Sequence, residues 1–185
     1  IETIENRLYD LTYGNQDQEQ GSLFDFRDLN LVFFDTTSVS IRTEVEGLFE
    51  RGYSKDHRPD LSQFIVGLVM TQNGDPLCHY FHPGTMADVN AFKAAIEDVS
   101  LRFPIKRLIW VADCGCVSKE ILEDLTSREI EYIFASRMRS ETLIRDKVLS
   151  TPGRFKRYDD NLSYKMAQDG NERFVIVKNA AQEKR

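Results

Sequence analysis

Apolar runs that read as strands are interleaved along this chain with stretches whose apolar residues recur every three or four positions. In residues 1–13, Ile1, Ile4, Leu8 and Leu11 have helical spacing, which predicts a short helix. Gly14 to Ser22 is polar and reads as a loop. Leu31-Val-Phe-Phe34 puts four bulky apolar residues in a row and predicts a strand buried on both faces. Asp35 stands at the end of that run, followed by the hydroxyl side chains of Thr36, Thr37 and Ser38. Residues 41–61 have no clear period and read as a long connection, a kind of segment that in compact domains tends to be functional or mobile.

Leu61 to Met70 predicts a second strand, Asn73-Gly74 a turn, and Leu77 to Phe81 the returning strand of a hairpin. Thr85-Met-Ala-Asp88 has the form of an acidic capping box. The helix it opens repeats Val89, Phe92, Ile96, Val99 and Phe103 at steps of 3, 4, 3 and 4, which gives it one apolar face. Arg107 to Asp113 is a second apolar run that delivers a carboxylate at its end. Ser118 is an N-cap for a helix with Ile121, Leu122 and Leu125 inward, and Glu131 to Ala135 is a last short strand. The order strand, strand, strand, helix, strand, helix, strand predicts an α/β fold with a mixed sheet, a meander followed by right-handed crossovers. In such a sheet the first and fourth strands can lie side by side and parallel. Asp35 and Asp113, 78 residues apart in the chain, would then share one acidic site.

Past Ser140 the pattern changes. Leu162-Ser-Tyr-Lys-Met166 alternates strictly, Asp169-Gly170 marks a turn, and Phe174-Val-Ile-Val177 runs back, a second and antiparallel element. The predicted organisation is an N-terminal helix and loop over 1–30, a core carrying both acids over 31–140, and the antiparallel element over 141–185. The final Ala-Ala-Gln-Glu-Lys-Arg185 reads as the first turn of a further helix.

Composition narrows the function classes only modestly. At 185 residues, 41% hydrophobic and 29% charged, the chain can bury a core as an ordinary soluble globular protein does. No apolar run approaches the ~20 residues of a membrane span, and residues 1–20 hold no secretory h-region. Three cysteines, an odd count, fit a reduced cytosolic protein. A net charge of −6 argues mildly against a dedicated nucleic-acid binder, but the charge is uneven. Residues 1–30 hold seven acids and two arginines, whereas residues 137–157 hold seven bases and two acids. That basic segment, with Arg137 and Arg139 just past the last strand of the sheet, fits either phosphate contact or a solvated face.

Among candidate chemistries the acid pair leads. Two carboxylates on a rigid sheet suit hard divalent cations such as Mg²⁺, and the hydroxyls of Thr36 and Thr37 could orient a carboxylate or a bound water. Cys114-Gly-Cys116 with His79 or His82 is a weaker zinc candidate, because a single Cys-x-Cys lacks the paired spacing of structural sites. A nucleophilic cysteine would need a basic partner, and the sequence supplies none clearly. Trp110 reads as a core aromatic.

Several segments carry a resemblance in order: Phe34-Asp-Thr-Thr-Ser38, Gly52-Tyr-Ser-Lys-Asp-His-Arg-Pro-Asp-Leu61, Gly67-Leu-Val69, Gly74-Asp-Pro-Leu77, Pro83-Gly84-Thr85, Val111-Ala-Asp-Cys-Gly115 and Ala135-Ser-Arg-Met-Arg139. Together, over roughly residues 28–180, they resemble bacterial insertion-sequence transposases of the DDE superfamily, in the broad group named after insertion sequence four. The resemblance implies a ribonuclease-H-like catalytic core followed by the start of a β-rich insertion. It implies two Mg²⁺ (or Mn²⁺) ions held by Asp, Asp and Glu, and cleavage and transfer of double-stranded DNA at transposon ends. A homodimer in the full-length protein and a cytoplasmic, nucleoid-associated location in bacteria are implied as well. Carried over by position, Asp35 is the first catalytic acid and Asp113 the second. The third, a glutamate in a Tyr-Arg-Glu-Lys helix beyond the insertion, has no counterpart here. The expectation is that the chain ends before it and performs no strand transfer alone. The loop with Lys55 and His57 would lie near the active site and touch DNA. Cys114-Gly-Cys116 departs from the family, which usually has a basic or other residue after the aspartate. The competing reading is an inactive ribonuclease-H-like remnant that serves as a DNA-binding or assembly module.

Overall fold

The computed structural model describes residues 1–11, 31–42, 47–52, 58, 60–103, 105, 107–136 and 142–182. The chain divides into two compact units, Ile1–Ala135 and Ser136–Arg185. Lys55, His57, Arg137 and Arg139 lie outside the described residues.

In the first unit the elements run α1 (Glu2–Tyr9), β1 (Leu31–Ile41), β2 (Ser62–Thr71), β3 (Pro76–Pro83), α2 (Asp88–Arg102), β4 (Ile109–Ala112), a 3₁₀ turn at Cys114–Cys116, α3 (Lys119–Ser127) and β5 (Glu131–Phe134). The sheet order is β3-β2-β1-β4-β5. β1, β2 and β3 pair antiparallel, while β4 pairs parallel with both β1 and β5. The hairpin turns at Gly74, whose φ of 86° suits glycine, and Thr71 N–H donates to Asp75 O at 2.8 Å.

One face of this sheet is the core. Val32 and Phe34 of β1, Val69 of β2, and Trp110 and Ala112 of β4 pack against Ala91, Phe92, Ala95, Ile96 and Val99 of α2 and Ile121 and Leu125 of α3. The 3.6-residue period of α2 has turned its apolar stripe onto the strands, as its spacing predicts. Ser118 caps α3, accepting from Ile121 N–H at 3.3 Å. On the other face Phe33, Val39, Phe81 and Ile133 are exposed.

Two expectations fail locally. β1 is not buried on both faces: its burial alternates, and the strand runs on to Ile41, so Asp35 lies mid-strand. The strand continues because β2 pairs with it as far as Ile41–Ser62. The expected short N-terminal helix is present as α1, with its apolar positions outward. Ile1, Ile4, Leu8 and Leu11 are exposed, and the buried residue is Glu5. Glu5 accepts from Arg102 Nη2 at 2.6 Å and from the His79 backbone N–H at 2.9 Å, so ionic and hydrogen-bonding partners dock the helix. The second failure is the capping box. The N-cap of α2 is Ala87 with no side-chain cap, and Thr85 Oγ1 instead donates to Glu50 Oε2 at 2.5 Å.

The second unit is a three-stranded antiparallel sheet in the order β6-β7-β8, from β6 (Lys156–Arg157), β7 (Leu162–Asp169) and β8 (Glu172–Asn179). A π-helical turn, Ile144–Val148, packs on one of its faces through Ile144 and Val148 against Ala167, Phe174 and Ile176. Lys165 Nζ closes the end of that turn by donating to Leu149 O at 3.2 Å and Thr151 O at 2.6 Å.

Candidate functional site

The parallel ladder between β1 and β4 pairs Val32 with Trp110 and Phe34 with Ala112 on the covered face, and Phe33 with Val111 on the open one. Phe34–Ala112 is the last pair. Side chains alternate along a strand, so the next position on each chain faces the open side. Those positions are Asp35 and Asp113. Asp113 keeps an extended backbone, φ −76° and ψ 163°, so the alternation continues through it. Both aspartates are exposed. Adjacent strands lie about 4.8 Å apart, so the two acids start from neighbouring backbone positions and project from the same face.

Each carboxylate is held by the residue after it. Thr36 N–H donates to Asp35 Oδ1 at 2.8 Å, and Cys114 N–H donates to Asp113 Oδ1 at 2.6 Å. Asp113 thereby caps the 3₁₀ turn, and Cys116 N–H closes that turn on Asp113 O at 3.1 Å. Amide donors of this kind restrict the carboxylate's rotamer.

The hydroxyls divide by parity. Thr36 lies on the covered face, 6% exposed, and its Oγ1 donates to Asp88 Oδ1 at 2.6 Å. Its side chain therefore points away from the Asp35 carboxylate and cannot orient it directly. Thr37 shares the open face with Asp35. Asp88 was missed by sequence reasoning, which gave it a capping role. The only signal was an acid opening a helix.

Among the described residues no three His, Cys, Asp or Glu side chains cluster closely enough to hold a metal ion. The zinc candidate accordingly finds no support there. Cys116 and Cys78 are buried, and burial pushes the Cys78 thiol up to about 11. His79 Nδ1 lies 2.8 Å from Glu5 Oε1, and burial lowers the pKa of His82. Two hard carboxylates on an exposed face are nonetheless a donor set that fits Mg²⁺ or Mn²⁺, ions that retain several waters and need few protein ligands.

Within the basic stretch of the second unit several cations are already paired. Arg145 donates to Asp146 Oδ1 at 2.6 Å, Arg157 pairs with Asp160, and Lys147 lies 3.6 Å from Asp169. The sequence-level excess of positive charge is thus partly neutralised within the unit. No helix among the described residues is long and apolar enough to cross a membrane.

No protein-family model and no curated protein matches this chain. Two solved structures are similar to parts of it. One is the cryo-EM structure of the piggyBac transposase synaptic complex with hairpin DNA, at 11% identity and a TM-score of 0.41, covering 80% of this chain and 32% of that one. The other is the Mos1 transposase paired-end complex with the left transposon end, at 11% identity and a TM-score of 0.38, covering 71% and 40%. The chain thus spans about a third and two fifths of those proteins' lengths.

Proposed function

We propose that residues 1–135 form the ribonuclease-H-like core of a DDE-type transposase related to the bacterial group named after insertion sequence four, with Asp35 and Asp113 as its first two metal-holding acids. The observation that supports this reading is the β1–β4 register, whose last pair, Phe34–Ala112, precedes each aspartate by one residue. Like charges so close favour a cation between them. Divalent ions held there would neutralise charge on the attacking and leaving oxygens of a phosphodiester. Asp35 and Asp113 bind and orient, and the amides of Thr36 and Cys114 restrict the carboxylates' rotamers. The partner in this reading is double-stranded DNA at transposon ends, drawn by the exposed cations of the second unit. A third acid from outside the described cluster completes the set. Action as a homodimer belongs to the same reading.

The test is isothermal titration of the chain with Mn²⁺, comparing wild type with Asp35→Asn and Asp113→Asn. Each substitution is expected to weaken binding at least tenfold, by loss of a charged oxygen ligand. Equal affinity in wild type and Asp35→Asn would refute the catalytic reading. It would favour a non-catalytic remnant acting in DNA binding or assembly.

A further inference from the structure

Asp88 is the first residue of α2 and lies on the opposite side of the sheet from the acid pair. Its Oδ1 accepts from Thr36 Oγ1 at 2.6 Å, and a Cβ placed on Gly115 would stand 3.4 Å from its Oδ2. Thr36 immediately follows Asp35 and supplies the amide that holds its carboxylate. Gly115 is the middle residue of the 3₁₀ turn that Asp113 caps. The Asp88 carboxylate therefore binds the residue after the first acid, and the helix that Asp88 opens packs against the turn that the second acid caps. It does so where the β1–β4 ladder has run out, since Asp35 and Asp113 stand one position beyond the last pair. Carboxylates that share hard cations must keep their separation to within about 0.5 Å, which calls for support from behind.

We propose that Asp88 is a positioning residue that fixes the spacing of Asp35 and Asp113, holding Thr36 by a hydrogen bond while α2, the helix it opens, packs on the Cys114–Cys116 turn. This rests on the reading of the acid pair as a divalent-cation site. Asp88 is not itself a ligand, because the Thr36 side chain it binds points away from the open face. The contact with a hydroxyl that is almost wholly buried is a charge-assisted bond of the short, strong kind.

The experiment is Mn²⁺ titration of the intact chain, followed by calorimetry, on wild type, Asp35→Asn, Thr36→Val, Thr36→Ser, Asp88→Ala and Asp88→Asn. Circular dichroism establishes that each variant is folded at the titration temperature. Thr36→Val and Asp88→Ala are expected to weaken Mn²⁺ binding about tenfold, the scale of losing a group that orients a ligand, with Thr36→Ser restoring it. A purely structural role would lower the melting temperature and leave the affinity of the folded protein unchanged. Such unchanged affinity, with wild type binding and Asp35→Asn not, would overturn the proposal while the acid-pair reading survives. If Asp35→Asn binds as wild type does, the acid-pair reading falls and takes the proposal with it. Asp88→Asn losing as much affinity as Asp35→Asn would make Asp88 a ligand and overturn the positioning role. Asp88→Ala leaves strand β1 untouched and decides the matter alone if Thr36→Val does not fold.

Discussion

Phe92 is the residue whose truncation tests the architecture beneath the acid pair most directly. Its side chain, on the fifth residue of α2, is fully buried. Its ring centroid lies 5.1 Å from that of Phe34 on β1, 5.5 Å from Trp110 on β4 and 5.6 Å from Phe134 on β5. Phe92 therefore touches all three parallel-paired strands, including both that carry the acids. Phe92→Ala removes the ring and leaves a cavity bounded by three other rings, which cannot collapse together without moving the strands. Truncations of this kind cost about 3–5 kcal/mol. The edge-to-face contacts put this site at the upper end, since each aromatic pair contributes about 0.5–1.5 kcal/mol beyond area burial. With a denaturant slope of about 2 kcal/mol per molar urea, a loss of about 4 kcal/mol lowers the unfolding midpoint by about 2 M. Trp110, the single tryptophan and almost wholly buried, reports unfolding of this core by fluorescence. Because a loss of that size approaches the whole stability of a marginal domain, Phe92→Leu serves as the graded partner, with an expected loss of about 1–1.5 kcal/mol. A loss below about 1.5 kcal/mol for Phe92→Ala would show that α2 is not seated on β1, β4 and β5 through this ring, and the account of the core would fail.

Two further outcomes follow from the same structure. A Cβ on Gly84 would stand 2.2 Å from Gln63 O and 2.4 Å from Glu50 O, backbone atoms that also exchange the bridge between Glu50 and Gln63. Gly84→Ala is expected to lower stability by about 1–3 kcal/mol in thermal melts, and a neutral result would remove this crossing as the reason for glycine there. His82 is partly buried and its Nε2 has no hydrogen-bond partner among the described residues, so burial lowers its pKa below the ordinary value of 6.5. As pH falls through 6.5 the unfolded chain takes up a proton that the folded state resists, so His82 destabilises the fold increasingly on the acid side. Between pH 7.5 and 5.5 the melting temperature of His82→Gln should therefore fall less than that of wild type, and parallel profiles would exclude this coupling.

What the sequence made legible was whatever depended on local period and turn chemistry. The hairpin around Asn73-Gly74, the apolar face of α2 and the Ser118 cap all rest on interactions within a few residues, and all three are present. What was not legible has a different cause. Glu5 is buried because Arg102 and His79, far along the chain, are there to receive it, and no local pattern encodes that. Thr85 had a distant Glu50 to bind and so left the cap of α2 empty. The four apolar residues Leu31 to Phe34 suggested burial on both faces, whereas both helices that follow pack on the same side and leave Phe33 exposed. Asp88 went unnoticed for the same reason, since its partner Thr36 is 52 positions away.

The acid pair occupies an intermediate position between these two classes, and parity explains why. Asp35 and Asp113 are not read as neighbours from any local motif. Each is one step past an apolar run, however, and the runs must pair so that their large side chains share a face. On the covered face Val32 meets Trp110 and Phe34 meets Ala112, all packed against α2 and its neighbours. A slip of one residue between β1 and β4 would turn Trp110 to the open side and drive Asp113 toward the core beside Phe92, because the side-chain period of a strand is two. Burying an unpaired carboxylate there costs several kcal/mol, as does exposing the indole, so the slipped register is excluded by the core alone. The hydrophobic pattern that fixes the register thereby fixes the acids one step beyond it. Asp88 adds what the pattern cannot supply, a contact from the covered face at the point where the ladder ends.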